Sequence, residues 1–272
     1  MKKIISALII LLLPFTLSAQ IILSGLIKDS VTNEVLPYTN IEIANKNIGT
    51  ISNDHGIYSL DIPYSLKYDS LTISYMGYHS KRIRINTLKH GGTIWLAKKS
   101  ILLKPVIVKS GIIKTQGNKK EGIVTLIFRN KDKNKGLSGA EIGMLFKNKN
   151  KIKINKIGFF LAQNGYDTLK IRVHVYNANN IKVEDRLNIP NNYLTITNKK
   201  TGWFTFNVDD NNVIIDGDYL VTLEIVKITP AIGLFALKGM FTPLHKRAYV
   251  REHGKWRKSF LNISLYTEIT SY

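Results

Sequence analysis

The sequence predicts an all-β protein built from two successive sandwiches, and three observations predict it. From Ile22 onward, apolar residues recur with a period of two rather than 3.6, in short runs rich in Val, Ile, Leu and Tyr. Gly, Pro and Asx-Gly turns bound those runs, and no stretch carries the periodicity of a three-turn helix. The 272 residues include no cysteine, so the cores must rest on burial and strand pairing rather than on disulfides.

Residues 1–19 open with Lys2-Lys3, run apolar from Ile4 to Leu13 and close on the small pair Ser18-Ala19 before Gln20. This is the pattern of a secretory signal peptide, so the mature chain is expected to begin near Gln20 and to be exported, to the periplasm or to the outer membrane or cell surface. The apolar run is shorter than the roughly 18 to 20 residues of a spanning helix, and no later stretch approaches that length, so no transmembrane segment is expected after cleavage.

Strands are expected near 22–28, 39–44, 48–52, 57–62, 70–75, 79–86 and 93–97, a seven-stranded sandwich over 20–98. Asn53-Asp54-His55-Gly56 suits a tight turn in which Asx side chains bond nearby backbone and Gly56 takes a positive φ. Tyr58, Leu60 and Ile62 then point to one face, with Ser59 and Asp61 on the other. Pro37 separates two strands because it cannot donate to a ladder, and Gly77 marks a bulge or bend.

Alternation fades over 99–120, read as a linker with one short strand at 106–108. It resumes near 123–128, 141–147, 152–161, 168–176, 193–197, 202–208, 218–228, 234–241, 246–251 and 260–268. These are too many strands to extend the first sandwich, so 121–272 is expected to form a second one of jelly-roll type. Trp95 and Trp203 alternate with strand apolars and are expected in the cores.

The first region carries Gly25 and Asp29, Leu36-Pro37, Asn40-Ile41, Gly49-Thr50, Asn53, Gly56, Tyr58, Leu60 and the exit Ser74-Tyr75-Met76-Gly77-Tyr78. In order and spacing these residues resemble the carboxypeptidase-regulatory-like domain, a transthyretin-like sandwich of exported proteins of the Bacteroidota type. The resemblance covers about a quarter of the chain. In many relatives the domain precedes an outer-membrane barrel, and Leu103-Lys104-Pro105-Val106-Ile107-Val108 resembles the join, with Pro105 where an acid usually stands. Too few residues follow for a plug and barrel, so the chain looks like a stand-alone member. The resemblance does not imply peptidase activity, since the zinc ligands of the carboxypeptidases lie in a separate catalytic domain.

No catalytic constellation is legible. The six histidines show no HExxH and no acid at ligand spacing, and are read as turn or surface residues. No Gly-x-Ser-x-Gly occurs, and the Asx run at 209–212 lacks the spacing of a calcium loop. No catalytic residue, metal or cofactor is therefore assigned.

The binding signals are basic. Thirty-nine Lys and Arg against nineteen Asp and Glu give a net charge of +20, which favours an envelope glycan or another anionic surface. Lys149 and Lys151 belong to an alternating series, 147 to 153, that would share one strand face and repel. At 251–258 a hairpin tip carries Trp256 among Arg251, Arg257 and Lys258, a combination that stacks on a sugar ring with charge assistance. The ligand-binding candidates are thus Arg251, Trp256, Arg257, Lys149 and Lys151. Nucleic acid is not expected as a partner, because the lysine run lacks interleaved aromatics. The reading is an exported, non-enzymatic binding or scaffolding protein for a glycan or protein partner. The alternative is a glycan-active or peptidase-like enzyme whose site lies in the C-terminal sandwich.

Overall fold

The computed structural model describes residues 20–272 except 45, 47, 100–110, 131–136, 179–185, 188, 190, 191, 210, 211, 231, 243–246, 253 and 254. The signal peptide expected over 1–19 and the strand expected at 106–108 lie outside the described residues. Within them the chain is all-β, the helical segments being 3-10 turns at Tyr64–Leu66 and Ile85–Thr87. Among the described residues no helix is long and apolar enough to cross a membrane.

The first unit contains β1 (Gln20–Asp29), β2 (Asn40–Ile43), β3 (Ile48–Ile51), β4 (Ile57–Pro63), β5 (Ser70–Ser74), β6 (Lys81–Arg84) and β7 (Gly92–Leu96). They form a three-stranded sheet, β4-β1-β7, facing a four-stranded sheet, β3-β2-β5-β6. Ile27, Ile41, Ile62, Leu71 and Ile73 are fully buried between the two. The expected turn is present: the Asn53 carboxamide oxygen accepts from the His55 and Ile57 amides, and Gly56 has φ 73°. Tyr58, Leu60 and Ile62 consequently face inward. Asp29, buried at the end of β1, accepts from the Tyr78 hydroxyl and from the Thr32 and Val31 amides, and these bonds hold its carboxyl well below the usual carboxylate range.

The second unit contains β8 (Ile112–Gly117), β9 (Val124–Asn130), β10 (Glu141–Phe146), β11 (Lys151–Asn164), β12 (Thr168–Asn177), β13 (Tyr193–Thr197), β14 (Gly202–Asn207), β15 (Val213–Asp216), β16 (Tyr219–Thr229), β17 (Gly233–Phe241), β18 (Ala248–Glu252), β19 (Lys255–Ser259), β20 (Leu261–Ile263) and β21 (Leu265–Ser271). A six-stranded sheet runs β13-β12-β16-β10-β18-β19. The opposing sheet runs β20-β17-β11-β21-β8, with β14 and β15 paired to β11 and β9 paired to β17. One apolar cluster, including Ile152, Phe159, Leu169, Val173, Val221 and Leu265, fills the space between them.

Three expectations change. β8, inside the stretch read as a linker, pairs with β21 as an edge strand of the second unit. Its side chains at 112 and 113 are both exposed, so it has no period-two pattern to read. Trp95 and Trp203 are not core residues, being 48% and 38% exposed; both sit on the outward positions of their strands. Lys147 and Lys149 lie between β10 and β11, where the Asn148 amide donates to Asp218, so the lysine series does not occupy one strand face.

Candidate functional site

β2 alternates Ile41 and Ile43 into the first core with Asn40 and Glu42 on its other face, yet both polar residues are buried. In the second unit, β12 sends Ile171, Val173 and Val175 inward and Arg172, His174 and Tyr176 outward, and these outward residues are buried too. The two outer faces meet. The molecule is therefore four stacked sheets, with two apolar cores and a polar junction between them.

A single rung of the six-stranded sheet organises the junction. Across its five ladders, Tyr193, Arg172, Glu224, Glu141, Arg251 and Trp256 stand opposite one another in that order, one from each strand. Glu224 and Glu141 are directly opposed, a pairing that repels unless compensated. Compensation comes from both flanks. Arg172 Nε donates to Glu224 Oε2 at 2.7 Å, and Arg251 Nη1 donates to Glu141 Oε1 at 2.7 Å. Each guanidinium also lies over an aromatic ring, Arg172 at 5.7 Å from Tyr193 and Arg251 at 5.9 Å from Trp256.

Further donors complete the cluster. Glu141 Oε2 accepts from the Tyr176 hydroxyl at 2.7 Å and the Thr222 hydroxyl at 2.8 Å, and Arg186 pairs with Oε1. His174 is fully buried and its Nε2 lies 2.5 Å from Glu224 Oε2. Burial alone would raise the Glu141 carboxyl, but Arg186 and Arg251 hold it down at about 2. Glu224 behaves alike: burial raises it, and Arg172 and His174 bring it well below the carboxylate range. Burial, aided by Arg186, lowers His174 to about 4 against the pull of Glu224. The ring is therefore neutral at pH 7, with Nε2–H donating to Glu224.

From the first unit, Glu42 receives two bonds from Arg251 Nη2, at 2.7 and 2.6 Å. Tyr38 packs its ring against Tyr193 at 5.7 Å while holding a φ of 56°, unusual for a bulky residue. Lys170 Nζ lies 4.6 Å from the Tyr38 ring centre, and Met76 Sδ accepts from the Ile189 amide. At the rim, Lys227 pairs with Asp54.

Glu141, His174 and Glu224 each offer a ligand atom within 4.8 Å of the others, the geometry of a metal-binding triad. The charge inventory argues against that use. Glu42, Glu141 and Glu224 are matched by Arg172, Arg186 and Arg251. A divalent cation would add two uncompensated charges to a buried, already neutral cluster. The arrangement suits a structural clamp.

The predicted binding residues fall in different places. Arg251 and Trp256 do meet across the β18–β19 hairpin, but Arg251 is 1% exposed and its guanidinium faces Glu42 and Glu141 rather than solvent. Trp256 is half-buried, edge-on to Tyr176 and Tyr249. Arg257, Lys149 and Lys151 are exposed, and they do not converge with Arg251. His174, expected at a turn or surface, is a core residue of the clamp. Nothing in the sequence singles out Glu42, Glu141, Arg172 and Glu224, because each occupies the polar register of an alternating strand, which reads as a solvent face.

Residues 23–108 match the CarboxypepD_reg-like domain family. No curated protein matches the chain. Among solved structures, it is similar to the cysteine protease and lectin-like domains of Cwp84, a surface-layer-associated protein of Clostridium difficile, at 10% identity and TM-score 0.43, over 86% of this chain and 58% of that one. A second structure of the same clostridial protease aligns at 12% identity and TM-score 0.43, over 86% and 65%. A membrane-associated protein of unknown function from Bacteroides fragilis NCTC 9343 aligns at 11% identity and TM-score 0.23, over 93% and 98%. The chain thus spans under two-thirds of the length of the clostridial chains.

Proposed function

From a chain whose residues 23–108 are a CarboxypepD_reg-like domain, a non-catalytic binding or regulatory type, we propose an exported, non-enzymatic binding or scaffolding protein of the periplasm or cell envelope, with a glycan or protein partner. One observation carries this reading. The cluster of buried carboxylates, arginines and histidine that would be the natural seat of chemistry is internally neutralised and serves to join the two sandwiches. Its members are shielded from any substrate, and the stacked sheets make a stiff body suited to presenting surfaces. The excess of lysine on those surfaces favours anionic partners, and the N-terminal leader pattern supports export.

Incubation of the purified protein with glycan and peptide panels tests the reading. Binding without turnover is expected. Turnover abolished by a single Asp or Glu substitution would overturn it, as would recovery of the native protein in the cytoplasm rather than the envelope fraction.

A further inference from the structure

The first sandwich has an open cleft of about 400 Å³ where the start of β1, Tyr58 of β4 and the two 3-10 turns come together. Its charged lining residues, Lys67 and Lys89, are both cationic, and among the described residues no carboxylate lines it. Lys67 is held in place, its Nζ bonded to the Tyr64 hydroxyl and lying 4.4 and 4.8 Å from the Tyr64 and Tyr68 ring centres. Those bonds raise its pKa and keep it charged.

Two polar groups point to a ligand. Tyr58 is 2% exposed and lines the cleft, yet its hydroxyl has no hydrogen-bond partner among the described residues. The hydroxyl opens onto the cleft rather than being sealed in the core, so a ligand oxygen can take the place of water there. Burial also raises the Tyr58 pKa, so the group remains a donor. At the rim, Ser24 Oγ lies 3.3 Å from His90 Nδ1. The His90 ring thereby lines the cleft as a second polar group.

We propose that this cleft binds an acidic saccharide, with its carboxylate between Lys67 and Lys89, its hydroxyls on Tyr58 and His90, and its apolar ring face against Tyr68. Tyr68 is 69% exposed, as a stacking platform must be. A neutral sugar would leave both lysines unmatched, and an inorganic anion would not use the Tyr68 ring or fill the volume. The proposal rests on the reading of the chain as a binding protein, but the two fail separately: a glycan or protein bound elsewhere removes the cleft and leaves that reading standing.

Calorimetric titration with digalacturonate, neutral digalactose and inorganic phosphate provides the test. Saturable digalacturonate binding is expected, weakened by about tenfold or more in Lys67→Ala/Lys89→Ala and several-fold in Tyr58→Phe. Because the Tyr58 hydroxyl has no partner to lose, the Phe variant retains its packing, and an unchanged melting temperature checks this. Lys114→Ala/Lys120→Ala, exposed in the second unit and away from the cleft lining, should bind as the parent does. Absent binding, affinity unchanged in Lys67→Ala/Lys89→Ala, or equal affinity for digalactose or phosphate would each overturn the assignment.

Discussion

His174 carries the clearest consequence at the scale of one residue. Its folded pKa of about 4 lies below the 6.5 of a free imidazole, so the unfolded chain takes up the proton first. Its contribution is whole above pH 6.5 and is lost as the pH falls to 4, a change of about 3 kcal/mol. Glu141, lowered from 4.5 to about 2, adds a further loss as the pH falls between those values. Urea unfolding from pH 7.5 to 4.5 should therefore show falling stability, and His174→Gln, which keeps a donor for Glu224, should flatten the slope. A variant with the parental slope would place the titration elsewhere. Nothing local marks His174 as buried: its partners are Glu224 and, through the cluster, Glu141, far away in the chain. Arg251 teaches the same lesson, since its hairpin was legible while its carboxylate partners at 42 and 141 were not.

At the scale of the strand, alternation does most of the work, and close approaches do the rest. Gly158 of β11 stands opposite Tyr266 of β21, and a methyl group at 158 would come within 2.2 Å of the Tyr266 ring. That ring also packs edge-on to Trp203 at 5.5 Å, so it has little room to withdraw. Gly158→Ala should cost about 2 kcal/mol through overpacking, and Tyr266→Ala in the same chain should recover part of it; denaturant midpoints of the two single variants and the double variant measure this. β8 shows where strand reading stops. Ile112 and Ile113 are both exposed, and the strand exists because β21 offers an edge. A pattern-based reading has no access to that edge.

For the molecule as a whole, the junction decides whether two sandwiches behave as one. Replacing a buried pair with apolar groups is often neutral, but removing one partner costs roughly 3 to 5 kcal/mol because the other charge remains buried. Glu42→Gln leaves Arg251 without its carboxylate from the first unit. Calorimetry should then show one unfolding transition in the parent and two in the variant, with Arg251→Met giving the same split. A single transition in both variants would mean that the remaining contacts suffice. The rung of Tyr, Arg, Glu, Glu, Arg and Trp is nearly symmetric about the opposed glutamates, so Glu42 engages only one half and fixes which end of the sheet the first unit covers. We read this as registry rather than stability.

The all-β class, the turn at Asn53 to Gly56, the inward faces of the strands and the character of the first domain are all legible in the residues themselves. Each of these depends on neighbours a few residues apart, where period and turn chemistry act. The tertiary structure alone decided which polar faces are covered. Whether Glu42, Arg172 or Glu224 meets water or another sheet depends on surfaces supplied from elsewhere in the chain, and a period of two is the same in either case.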